Sequence, residues 1–126
     1  MTQRGEVYRC NVCGNMVEVI RAGAGELVCC GQPMERLGEK MQEVGQEKHV
    51  PVVERAASEV RIKVGSVPHP MEEKHYIEWV EVDLGEGGCR RYLRPGDLPE
   101  AKFPGLAGDR VFARAFCNVH GLWKST

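Results

Sequence analysis

Six cysteines and four histidines are the residues of this chain best able to do chemistry, and they separate into two groups. Cys10-Asn11-Val12-Cys13-Gly14 is a CxxC-Gly knuckle, and after fifteen intervening residues comes the adjacent pair Cys29-Cys30, followed by Gly31. The two-residue gap lets both sulfurs reach one ion. The glycine permits a tight turn and leaves backbone N–H groups pointing at sulfur. Four thiolates from two turns make a tetrahedral all-sulfur site suited to zinc or iron, and the residues alone do not choose between them. A zinc ribbon usually repeats CxxC in its second half. Here the adjacent pair replaces it and widens one sulfur–metal–sulfur angle. A thioredoxin-like reading lacks the βαβ pattern around its CxxC, and a disulfide reading conflicts with the expected compartment.

The second group lies downstream: Lys48-His49, Pro68-His69-Pro70, Glu72-Glu73-Lys74-His75 and Cys117-Asn118-Val119-His120-Gly121. Each histidine falls in a loop or at the end of an expected strand, and Cys117 and His120 have a spacing that can grip one ion. Imidazole and thiolate suit iron, zinc or copper. Histidine beyond a closed tetrahedral set argues against structural zinc. Four nitrogens in a plane with one axial sulfur leave a sixth position for a substrate, and an axial thiolate pushes electron density onto iron. Lys74 adjoins His75, but Glu72 and Glu73 offset its charge, so it is left out of the site. Cys89, beside Arg90 and Arg91, has no partners in sequence for a third site. Trp79 and Trp123 are expected to pack a core rather than relay electrons.

These groups need elements to hold them. Residues 1–37 contain short β-prone pieces, Val17–Ile20 and Leu27-Val28, punctuated by glycines. A unit of fewer than about 40 residues usually needs a metal or disulfide to fold. Residues 38–48, GEKMQEVGQEK, are polar and charged and read as a linker. From His49 onward the pattern is β. Val60, Ile62 and Val64 alternate with Arg61 and Lys63. Ile77 and Trp79 share one phase and Val80, Val82 and Leu84 the other, which predicts a bulge or a strand covered on both faces. Arg90–Leu93 and Val111–Phe116 are further strands, separated by the Pro- and Gly-rich stretch from Arg94 to Asp109, read as a loop. Short strands with turn signals argue for a β-sandwich, immunoglobulin-like, over residues 49–126.

Seventeen basic against eighteen acidic side chains leave a formal net charge of −1, which offers no overall field for nucleic acid or membrane. Apolar residues at 42% and charged residues at 28% mark a globular chain. No apolar run is long enough for a transmembrane helix, and MTQRGEVYRC carries no secretory apolar segment. A cytoplasmic location is expected, where cysteines act as metal ligands or reactive thiols rather than disulfides.

The pieces YRCNVCGNMVEV, ELVCCGQPM, EKHVPVVE, VGSVPHPMEEKHYIEW and FCNVHGLWK resemble the desulfoferrodoxins, two-iron superoxide reductases, across nearly the whole chain. The resemblance implies a mainly β protein: a desulforedoxin-like domain over 1–37, a linker over 38–48, and an immunoglobulin-like domain over 49–126. It implies two non-haem irons, one held by Cys10, Cys13, Cys29 and Cys30, the other by His49, His69, His75 and His120 with Cys117 axial. The implied reaction is one-electron reduction of superoxide to hydrogen peroxide without release of oxygen. Lys48, next to His49, is the expected guide for the anion. Glu47 resembles the family carboxylate that occupies the sixth position in the oxidised state. A homodimer and a rubredoxin-type electron donor are further implications. The stretch Gly85–Arg91, rich in arginine and glycine, departs from the family pattern but holds no expected ligand.

Overall fold

The computed structural model of the chain describes residues 1–43, 48–106 and 111–126. No α-helix occurs among them, and the chain divides into two compact units, Met1–Gly38 and Glu39–Thr126.

In the first unit, β1 (Val7–Arg9) is the middle of an antiparallel sheet between β2 (Met16–Glu18) and β5 (Glu35–Arg36), while β3 (Val28–Cys29) and β4 (Gln32–Pro33) form a separate hairpin. The hairpin turn is Cys30-Gly31, at φ +52° and +72°. A two-residue type I′ turn requires this left-handed pair, and it is tolerated poorly by any residue with a Cβ. The buried apolar side chains are Val7, Val19 and Leu37, together with Cys10. A core this small offsets little of the conformational entropy lost on folding, and an ion held by the four cysteines would add to its stability.

The second unit has two sheets. One has the order β10-β7-β6, built from β6 (Pro51–Arg55), β7 (Glu59–Val64) and β10 (Glu100–Pro104). The other has the order β12-β11-β8-β9, built from β8 (Ile77–Asp83), β9 (Gly88–Tyr92), β11 (Phe112–Cys117) and β12 (Gly121–Lys124). Val60, Ile62 and Val64 of β7 face inward with Ala101 and Phe103 of β10. They meet Val80 and Val82 of β8 and Ala113, Ala115 and Cys117 of β11 in one core cluster. This is the all-β sandwich expected of the sequence.

Both alternatives considered for β8 are realised. Its register with β11 shifts between Phe116 and Cys117, where Trp79 and Ile77 are the successive partners and Glu78 is the extra residue. The bulge changes the phase, so Ile77, Val80 and Val82 all reach the core cluster, and Trp79 turns to the other face. There Trp79 stacks with Phe116 at 6.0 Å and lies under the Arg90 guanidinium at 4.6 Å. Glu81, also buried on that face, pairs with both Arg90 and Arg114.

Two readings need correction. The Arg94–Asp109 stretch is not loop throughout: Glu100–Pro104 forms β10 against β7. Ala101 and Phe103 alternate inward, and the terminal Pro104 is tolerated because β10 is an edge strand, where a missing N–H costs no ladder bond. The polar stretch from Gly38 is also not linker from its start. Lys40 pairs in parallel with Trp123, donating its N–H to Leu122 O and accepting from Lys124 N–H, both at 2.9 Å.

Candidate metal centres

In the first unit, β1 delivers Cys10 and the knuckle folds back on it. Gly14 N–H donates to Cys10 O at 3.0 Å, and the N–H groups of Val12 and Cys13 both donate to Cys10 Sγ at 3.4 Å. The β3–β4 turn supplies the other pair, with Cys13 Sγ 3.7 Å from Cys29 Sγ and Cys29 Sγ 3.9 Å from Cys30 Sγ. All four sulfurs lie within 4.8 Å of one another. Metal–sulfur bonds of about 2.3 Å in a tetrahedron place sulfurs about 3.8 Å apart, so the set fits an ion held by four thiolates. The longer of the two separations belongs to the adjacent pair.

The protons of these thiols reflect the same geometry. The N–H groups of Cys13 and Val12 aimed at sulfur lower the Cys10 thiol to about 6. The bonds from Cys13 and Cys10 raise Cys29 and push Cys30 up to about 12, since each further thiolate would form beside existing negative charge. A cation bound to all four replaces those protons.

In the second unit, three connections converge: the segment before β6, the loop between β7 and β8, and the turn between β11 and β12. His49 enters ahead of β6, with its N–H and that of Val50 donating to the two carboxylate oxygens of Glu43 at 2.7 and 2.9 Å. His69 follows β7, and its Nδ1 donates to Pro70 O at 2.7 Å, which leaves Nε2 as the nitrogen that reaches the cluster. His75 precedes β8 in a small antiparallel bridge with Glu72. Cys117 ends β11 fully buried, and the next turn brings His120 N–H to within 3.4 Å of its sulfur.

The four imidazoles form a closed circuit. Ring centroids are 4.5 Å apart for His49 and His69, 4.9 Å for His69 and His75, 5.1 Å for His75 and His120, and 4.8 Å for His120 and His49. Every neighbouring pair is steeply inclined, so edges rather than faces meet. His49 Nε2 lies 3.1 Å from His120 Nδ1, close to the roughly 3.0 Å expected between adjacent nitrogens of a square set with bonds of about 2.1 Å. Cys117 Sγ is 3.9 Å from His120 Nδ1, and the five donor atoms lie within 4.8 Å of one another. Four borderline nitrogens and one soft sulfur are a donor set for iron.

The structure therefore brings together all nine residues read as metal ligands. Glu47 lies outside the described residues. Lys48 is half-buried, with its carbonyl oxygen against Gly65, where a Cβ would stand 2.5 Å from it. Cys89 is exposed on β9 and belongs to neither group of donors. All six cysteines are described and none is disulfide-bonded.

Sequence reasoning missed several supports of the site. Trp123 is buried, and its ring stacks on His49 at 4.5 Å and 13°. Its Nε1 and the ammonium of Lys40 both donate to His120 O, at 3.2 and 2.7 Å. Glu43 and Lys40 were hidden in a polar stretch, and no periodicity marks either as part of a site.

Comparison with known proteins agrees over both units. The desulfoferrodoxin family model matches residues 41–126, and the model of the desulfoferrodoxin N-terminal domain matches residues 2–37. A desulfoferrodoxin homolog of Archaeoglobus fulgidus is 58% identical over 99% of each chain. The superoxide reductase of Treponema pallidum superimposes with a TM-score of 0.80 at 32% identity, covering 96% of this chain and 97% of that one. A one-iron superoxide reductase of Giardia intestinalis covers 64% of this chain and 96% of its own, with a TM-score of 0.53 and 32% identity. The four-cysteine group and the group of four histidines with one cysteine are accordingly two iron sites. With both domain matches in place and both donor sets assembled, the chain belongs to the desulfoferrodoxin family.

Proposed function

We propose that the chain is a superoxide reductase, taking superoxide, one electron and two protons to hydrogen peroxide without releasing oxygen. The observation that carries this reading is the closed circuit of His49, His69, His75 and His120 with the buried Cys117 thiol in reach of the same centre. Ferrous iron in that set supplies the electron. The residues do the rest. The Cys117 thiolate makes the centre more strongly reducing. His49, His69, His75 and His120 would hold the iron together with Cys117, five donors that would leave room for a small anion to bind. Lys48, adjoining His49, supplies positive charge that draws superoxide in and favours negative charge developing on it. Glu47 carries a hard carboxylate that would suit a ferric ion better than a ferrous one. The similarity of the second unit to a one-iron superoxide reductase supports placing the reaction there.

Cys10, Cys13, Cys29 and Cys30 would fill the coordination of a tetrahedral iron, which would suit outer-sphere electron transfer, and a rubredoxin-type protein is the proposed donor. A homodimer in the cytoplasm is the setting this reading assumes. No described helix is long and apolar enough to cross a membrane.

Pulse radiolysis of the reduced holoprotein tests the proposal. The reductase reading requires rapid loss of superoxide with one peroxide formed for each superoxide consumed. Half that yield with oxygen evolved identifies dismutation. No reaction with superoxide identifies an electron carrier, and a colourless protein containing only zinc identifies a zinc-stabilised binding module.

A further inference from the structure

Between the two ligands of the CxxH turn stands Asn118, and its carboxamide is used entirely on the opposite loop. Asn118 Oδ1 accepts from Tyr76 N–H at 3.0 Å, and Asn118 Nδ2 donates to Lys74 O at 3.1 Å. Its own N–H donates to Tyr76 O at 3.2 Å. These three bonds grip the residues immediately before and after His75, more than forty positions away in sequence. The backbone of His75 is itself closed by Glu72, which donates to His75 O at 2.9 Å and accepts from His75 N–H at 3.1 Å. Every backbone polar group from Lys74 O to Tyr76 O thus has a partner, and three of those five bonds are made by one residue lying between Cys117 and His120.

We propose that Asn118 is a positioning residue of the second centre, a two-sided clamp that fixes the His75 imidazole relative to the Cys117–His120 turn. It rests on the reading of that centre as the reactive iron site. The amide is the side chain that fits. One end must accept from an N–H and the other must donate to a carbonyl, and only asparagine offers both at this length. An aspartate of the same shape keeps the acceptor but turns a negative oxygen toward Lys74 O. An alanine leaves both backbone groups without this partner. Because His75 and Cys117 belong to one coordination sphere, a looser clamp changes the angle between an imidazole and the thiolate, and with it the metal affinity and the electronic coupling of sulfur to metal.

The test compares the full-length N118A and N118D variants with the wild-type chain. Metal affinity of the second centre is measured by chelator competition with cobalt(II), alongside the position of its thiolate-to-metal absorption band, with the first centre's own band as internal reference. Both variants are expected to lose about 10–100-fold in affinity at the second centre, with a shifted band there and an unchanged first centre. Wild-type affinity and band in N118D overturn the proposal, because a merely space-filling asparagine tolerates its isostere. Equal loss at both centres also overturns it, as a sign of general misfolding. A wild-type chain inert toward superoxide sinks the functional reading alone, since the variants' metal affinities are read without turnover.

Discussion

Replacement of Gly65 by alanine tests how the second centre is held. Gly65 sits at φ +86°, and a Cβ built there meets Lys48 O and Val67 O at 2.5 Å each and Lys48 C at 3.0 Å. Ordinary contact begins at 3.4 Å, so the neighbouring backbone must retreat by 3.4 − 2.5 = 0.9 Å. The obstructing atoms are backbone carbonyls and cannot swing aside as a side chain would. Lys48 immediately precedes His49, and Val67 is two residues before His69, so one methyl presses on two ligand segments at once. A misplacement of about 1 Å near reacting groups can cost about 100-fold in rate. The left-handed backbone adds a conformational cost of about 1–3 kcal/mol in stability. Gly105 is the control: at φ +79° it carries the same conformational penalty, but a Cβ there meets nothing within 4 Å. The expected result for Gly65→Ala is a roughly 100-fold slower reaction with superoxide and an altered second-centre spectrum. Gly105→Ala should lose only stability. If Gly65→Ala kept the wild-type rate and spectrum, or if the two variants lost rate equally, the inference from backbone contact to ligand placement would be wrong.

Lys48→Ala should slow superoxide capture and flatten its dependence on ionic strength, both measured by pulse radiolysis; an unchanged salt slope refutes steering. Glu43→Gln removes the charge from two bonds to the His49 and Val50 amides, each charged bond contributing about 1.5–3 kcal/mol, and should lower second-centre iron retention in chelator competition while the first centre is unaffected. Cys13→Ser should abolish the first centre's absorption band; turnover with an added donor then falls if that centre relays electrons and is unchanged if it is structural. The first centre should also bind metal more weakly as pH falls. Cys29 and Cys30 hold their protons to above the ordinary thiol range and must release them to the metal at neutral pH, whereas Cys10 competes only below about 6. Metal affinity plotted against pH should therefore steepen by one proton below that value, and an unbroken slope there contradicts the hydrogen-bonded Cys10 thiolate.

Ligand chemistry was legible in the sequence because it resides in residue type and short spacing. CxxC, the adjacent pair Cys29-Cys30 and the CxxH at Cys117 each announce a turn that can hold an ion. The alternation of Val60, Ile62 and Val64 announced a half-buried strand, and the phase change along Ile77–Leu84 pointed to a bulge or a doubly covered strand, but the expected shared side of Ile77 and Trp79 was wrong because the extra residue is Glu78, which lies between them. Strand β10 was obscured because prolines flank its two inward residues, Ala101 and Phe103, and local propensity outweighed a two-residue signal. Glu43, Lys40 and Asn118 were invisible as supports for a different reason. Each acts through backbone groups, Glu43 on its own segment and Lys40 and Asn118 on distant ones, and a backbone N–H or carbonyl carries no mark of its partner in sequence.

The chain's own residues determined which donors exist and which metals suit them, since softness and charge belong to the side chain. Only the tertiary structure decided that His49 and His120, seventy-one positions apart, stand with their ring nitrogens 3.1 Å from each other. Strand register and the conformations of the segment before β6 and the β11–β12 turn set that distance, and each depends on packing and backbone contacts that no local stretch contains. The bulge at Glu78, the Gly65 contact beneath Lys48 and the Glu43 carboxylate each act on a segment that carries or adjoins a ligand, and none of them is visible in the ligand's own stretch of sequence.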